Sequence, residues 1–177
     1  ARARELPQDR AYNSFVVLPD GHLVTKDLVM DGRAPSRLVV LDPESLEIVA
    51  AEVAAPEAST ARLSGDRDVV YIVGDDSVFR YQWDGRRLAL DADWSFRYRT
   101  AADQSYGWDP VIAGGHVWFM DNGAHRYAGT MRDRGVASGP VHLVRVAVHD
   151  AEDHELVEIS GLAGGAVLHQ FDGPKDA

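Results

Sequence analysis

The stretch SVFRYQWDGRRLAL, residues 77–90, decides the fold. Apolar and polar side chains alternate on both sides of Asp84-Gly85, and an Asp-Gly pair between alternating runs is the strongest short-range signal of a β-hairpin. Two other segments carry the same pattern. NSFVVLPDGHLVTKDL (13–28) reads as strand, Pro-Asp-Gly turn, strand, and DPVIAGGHVWFMDN (109–122) places Gly-Gly at its turn. Most of the chain alternates in this way or forms short apolar runs, with little recurrence at helical spacing, so the expected class is all-β.

Laid over one another, these segments expose a repeat. GHLVTKD (21–27), DVVYIVG (68–74) and GHVWFMD (115–121) align His22 with Val69 and Val69 with His116, at an interval of 47 residues in both steps. A second hairpin follows each of them: 36–53, 77–94 and 141–160. Each of these has an aspartate at its turn, namely Asp42, Asp84 and Asp150. A strand-helix unit is the competing reading of LDPESLEIVAAEV, with Asp42 as N-cap, Pro43 at the first helical position, and Leu46, Val49 and Val53 at helical spacing. The alternation of RRLALDADWSFRYR and HELVEIS, which stand at the equivalent place, favours strands.

Four short strands per 40–50 residues is the period of a β-propeller blade. The expectation is a single propeller-type domain or partial domain over 1–177, with about three four-stranded antiparallel blades at roughly 12–55, 59–99 and 106–160. Residues 161–177 are expected to start a further blade or form a tail. Propeller rings typically take four to eight blades. Three blades therefore imply an incomplete ring or a fragment of a larger propeller, completed by self-association or by the remaining blades of a longer chain.

Composition narrows the function classes. Of 177 residues, 18 are Lys or Arg and 28 are Asp or Glu, a formal charge of −10 with no basic block, which argues against nucleic acid as a partner. The absence of cysteine removes disulfides, thiolate zinc sites and a cysteine nucleophile. No apolar run approaches the roughly 20 residues needed to span a bilayer. The stretch ARARELPQDR lacks an apolar core and does not read as an intact signal peptide, so the compartment stays open.

VLPDGHLVTKD, LVVLDPESLEIVA and VVYIVGDDSVFRYQWDGRRL resemble the blade hairpins of bacterial repeat propellers of the broad YVTN, PQQ-like and sugar-lactonase-like kind. The resemblance covers roughly residues 12–160 and implies the fold, because many unrelated activities share this scaffold. The Trp-rich docking repeat of the PQQ-dependent members is missing. The lactonase-like members place a divalent cation in the axial channel on carboxylate and Asn ligands, which implies Asp109, Asp121 and Asn122 as the corresponding groups here.

In such a ring the loops between blades and those joining second to third strands share one face. For this chain that face gathers 26–36, 74–77, 100–110 and the insertion NGAHRYAGTMRDRGVASGP (122–140). The expected function is binding of a small polar or carbohydrate-like ligand, or of a protein partner, through residues 103–110 and 121–140. Tyr106, Trp108, Asp109, Asn122, Arg126 and Tyr127 are the candidate ligand-binding residues, with Tyr106 and Trp108 read as a stacking surface in a Gly-containing loop. The alternative is a metal-assisted propeller hydrolase holding Ca²⁺ or Mg²⁺ on the oxygens of Asp109, Asp121 and Asn122. His125 beside Asp121 is its best acid-base pair. The same Asp and Asn also suit plain strand-end capping.

Overall fold

A computed structural model describes residue 3 and residues 10–29, 37–53, 62–73, 77–98, 107–121 and 142–159. These residues form three four-stranded antiparallel sheets with no helix among them. Sheet one contains β1 (Arg10–Val17), β2 (Leu23–Val29), β3 (Arg37–Leu41) and β4 (Ile48–Val53). Sheet two contains β5 (Arg62–Asp66), β6 (Val69–Val73), β7 (Ser77–Trp83) and β8 (Leu88–Arg97). Sheet three contains β9 (Gly107–Ala113), β10 (His116–Asp121), β11 (His142–Ala147) and β12 (His154–Glu158). Strand order follows chain order in every sheet. The first strands lie side by side, β1 against β5 and β5 against β9, as they do at the axis of a propeller. The segment with a helical alternative is β4, a strand paired with β3.

Turn chemistry explains the hairpins. Gly21 and Gly85 adopt φ of 90° and 89°, a region costly for side-chain-bearing residues. The three turn aspartates act alike. The Oδ1 of Asp42 accepts the N–H of Glu44 at 3.0 Å, that of Asp84 the N–H of Arg86 at 2.8 Å, and that of Asp150 the N–H of Glu152 at 3.0 Å. Each is an Asx-turn, in which a short carboxylate mimics a backbone carbonyl.

At Asp42 and Asp84 these bonds favour the ionised carboxylate. The backbone N–H of Ser45 holds the carboxyl of Asp42 below its ordinary value, and the N–H of Arg87 does the same for Asp84. A group whose folded pKa is depressed contributes stability above its unfolded pKa, about 3.9, and loses it as pH falls through the folded value. The unfolding midpoint is therefore expected to stay level in this respect down to about pH 5 and to decline below about pH 4. Replacing both Asp42 and Asp84 with Asn keeps an acceptor and removes the ionisation. Circular dichroism melts from pH 7 to 2.5 should then show a shallower acid limb, whereas a curve parallel to the parent would remove these turns from the acid response.

Packing follows the two-residue period of a strand. Val70 and Ile72 of β6 face sheet one and pack with Val24, Leu38 and Val40. Tyr71 and Val73 face sheet three and pack with Val117, Phe119, Val144 and Val146. The middle sheet is thus buried on both faces. No helix among the described residues is long and apolar enough to cross a membrane.

Two inner strands bulge at the same repeat position. In β1 the register skips Ser14, whose φ is 61°. The carbonyl of Ser14 accepts Thr25 Oγ1–H at 2.7 Å and its hydroxyl accepts the N–H of Leu63 in sheet two at 3.2 Å. In β9 Trp108 pairs with Met120 and Val111 with Trp118, leaving Asp109 and Pro110 together opposite Phe119. A bulge is where a strand tolerates the missing N–H of proline.

Candidate functional site

β10 ends at Asp121, and β11 begins at His142 directly opposite it. The chain between them, residues 122–141, contains the insertion 122–140 singled out in the sequence. Asp121 is 3% exposed, and His142 Nδ1 stands 3.6 Å from its Oδ2. Alternation from Val117 and Phe119 puts Asp121 on the face that packs against sheet two. Sheet one has the same arrangement at the equivalent position. Asp27, also buried, ends the described register of β2 opposite Arg37, and Arg37 Nη2 donates to Asp27 Oδ2 at 2.5 Å. A carboxylate facing a basic side chain therefore closes the base of the second-to-third-strand connection in two of the three sheets.

The other predicted residues fall differently. Residues 107–110 belong to the inner strand β9 and not to a loop: Gly107 pairs with Asp121 and Trp108 with Met120. Gly107 and Pro110 read as breakers in the sequence, but the bulge at Asp109–Pro110 accommodates the proline and the ladder continues beyond it. Tyr106, Asn122, His125, Arg126 and Tyr127 lie outside the described residues. Among the described residues no group of three His, Asp or Glu side chains gathers as a metal would require. Two of the three predicted ligands, Asp109 and Asp121, flank the same strand pair, β9 and β10, near one end.

Sequence reasoning passed over the partners of the two aspartates. Asp27 and Asp121 both end the aligned stretches GHLVTKD and GHVWFMD, so their equivalence was available as a signal. Arg37 and His142 enter only once the register of β2 with β3 and of β10 with β11 is known.

At the opposite end of the sheets two polar clusters form. Trp83 Nε1–H donates to Asp20 Oδ2 at 2.8 Å, and His22 Nδ1 lies 3.0 Å from the same oxygen. Burial raises the pKa of Asp20, but the Trp83 and His22 bonds outweigh it, and the carboxyl sits below its ordinary value. In sheet three Arg145 Nε–H donates to Glu155 Oε2 at 2.9 Å, and its Nη1 lies 3.3 Å from His116 Nε2. His22 and His116, equivalent in the repeat, thus serve different local networks. A cavity of about 450 Å³ opens beside β5 and β9, lined by Gly65, Asp66 and residues 110–115.

No protein-family model matches the sequence, and no curated protein matches it.

Proposed function

We propose that the chain is a recognition module of the repeat-propeller kind. It takes a small polar or carbohydrate-like ligand, or a partner protein, on the face carrying residues 103–110 and 121–140. The observation that supports this reading is the base of the insertion. The residues on either side of 122–141 are cross-strand neighbours at the end of a sheet packed against the next. A rigid scaffold that presents a long connection from a fixed base is how binding residues are commonly displayed. The metal-assisted hydrolase, with Ca²⁺ or Mg²⁺ on Asp109, Asp121 and Asn122, requires Asp121 to exchange its place opposite His142 for an ion.

A thermal-shift panel of mono- and disaccharides and uronic acids tests the proposal on the parent and on a variant with 123–140 replaced by a short Gly-Ser linker. A binder at 100 times its Kd adds about 2.7 kcal/mol, which for a chain of this size is a rise of about 5–10 °C. The expected result is such a rise in the parent and none in the linker variant, with equal midpoints in the absence of sugar. A rise retained by the linker variant would sink this assignment. A shift from millimolar Ca²⁺ or Mg²⁺, reversed by EDTA, would favour the hydrolase.

A further inference from the structure

We infer that the cavity between the inner strands of sheets two and three binds a compact organic cation carrying a primary amine, at a site separate from the loop face. Its volume, about 450 Å³, falls within the roughly 300–1,000 Å³ common for small-ligand sites. Three features of its wall select the ligand.

The first is charge. Of the described lining residues, only Asp66 is ionisable. Its exposed carboxylate makes no side-chain hydrogen bond or ion pair among the described residues. An anion would be repelled here, and an ammonium group has a single unsatisfied carboxylate to meet.

The second is backbone polarity. β5 and β9 are the edge strands of their sheets, so their outward N–H and C=O groups have no ladder partner. An ammonium group donates three hydrogen bonds and accepts none; the wall offers it one carboxylate and the outward edge carbonyls of β5 and β9, those of Ala113, Gly114 and Gly115 being already engaged by Trp118 Nε1–H, His116 Nδ1 and the N–H of Val148. A hard divalent cation wants six or more oxygens, usually with several carboxylates, and no group of three metal-ligating side chains occurs among the described residues.

The third is bareness. Gly114 and Gly115 adopt φ of 57° and 74°, where a side chain is strained, so the turn at the cavity mouth stays backbone only. Gly65 approaches β1 so closely that a Cβ there would lie 3.2 Å from Val16 Cβ. At Gly114 and Gly115 nothing lies within 4 Å of where a Cβ would stand, so the wall is open to a ligand at that end, whereas Gly65 serves its close approach to sheet one. The formal charge of −10 adds a long-range attraction for cations.

Titrating the chain with 1,4-diaminobutane, with 1,4-butanediol as the neutral match, tests the site by calorimetry and by amide chemical shifts. Expected are one-site binding of the diamine, none of the diol, and shifts centred on Gly65, Asp66, Gly114 and Gly115. Asp66→Asn, an exposed change that leaves the fold intact, should weaken the diamine at least tenfold. Nα-acetyl-lysine amide binding as tightly as the diamine would uphold the site and assign the amine to a side chain of another protein. Undiminished affinity in D66N, or shifts spread over acidic residues elsewhere, would overturn the inference. The variant with 123–140 replaced should bind the diamine like the parent, so failure of the loop-face reading leaves this result readable.

Discussion

Phe119→Ala should lower the unfolding midpoint by about 6–20 °C, the largest effect of any single change considered. Phe119 is fully buried. It lies in the core shared by sheets two and three, and its ring meets Tyr98 edge-on at 4.9 Å between centroids. Truncating a buried phenylalanine costs about 3–5 kcal/mol through lost transfer energy and the cavity left behind, a sizeable part of the 5–15 kcal/mol typical of a whole domain. At about 2–4 °C per kcal/mol for a chain of this length, the midpoint falls accordingly. Val157→Ala on the exposed outer strand β12 is the matched control, with an expected change of under about 0.5 kcal/mol. Melts in which F119A and V157A coincide would mean that sheets two and three do not share this core.

The second large effect belongs to Arg80. From β7 its Nε–H donates to Asp91 Oδ2 at 3.0 Å, and Nη2–H donates to the same oxygen at 2.5 Å. Its Nη1–H reaches the carbonyl of Val148 in sheet three, and the guanidinium carbon sits 5.1 Å from the centre of the Trp94 ring. One side chain thus joins a strand partner, an aromatic face and the next sheet. Arg80→Met keeps much of the aliphatic packing and removes the Arg80 donor from Asp91 Oδ2 and from the Val148 carbonyl, while Asp91 Oδ1 keeps the N–H of Asp93. Both side chains of the ion pair are about a quarter exposed, so solvent replaces part of the loss. The expected cost is about 2–3 kcal/mol, or roughly 4–12 °C.

Asp91 gives that prediction a pH signature. The Arg80 hydrogen bond holds its carboxyl below the ordinary value. The pair therefore stabilises above the unfolded pKa of about 3.9 and fades as pH falls through the folded one. The gap between parent and R80M should be widest near pH 7 and narrow below about pH 4. A gap that is constant from pH 7 to 3 would attribute the loss to packing alone.

The sheets were legible because their signals are local. Asp84-Gly85, Gly114-Gly115 and the Asx-turn aspartates sit within a few residues of the strands they join, and the two-residue alternation needs no knowledge of neighbours. The 47-residue interval between His22, Val69 and His116 then set the number of sheets and their strand order. The inner strand β9 was harder. Gly107 and Pro110 carry the composition of a loop, and only the bulge opposite Phe119 shows how a strand passes through them. Contacts between sheets left no trace in the sequence: Arg80 and Val148 are 68 positions apart, and Asp20 and Trp83 are 63 apart. The axial cavity escaped for a different reason. Gly65, Gly114 and Gly115 are among its lining residues, and a glycine carries no side-chain chemistry to mark a site.

The placement of Asp121 opposite His142 bears on how such a chain can change over generations. Whatever length of polypeptide joins those two positions leaves and re-enters the sheet at neighbouring points. The entropy of closing it grows only logarithmically, by about 0.6 kcal/mol for each doubling. Among the described residues, Val117, Phe119, Val144 and Val146 carry the core on the two strands that the segment joins. A segment held between paired strands can be lengthened, shortened or rewritten while Asp121 and His142 keep their register, so new sequence can be tried there on a scaffold already in place.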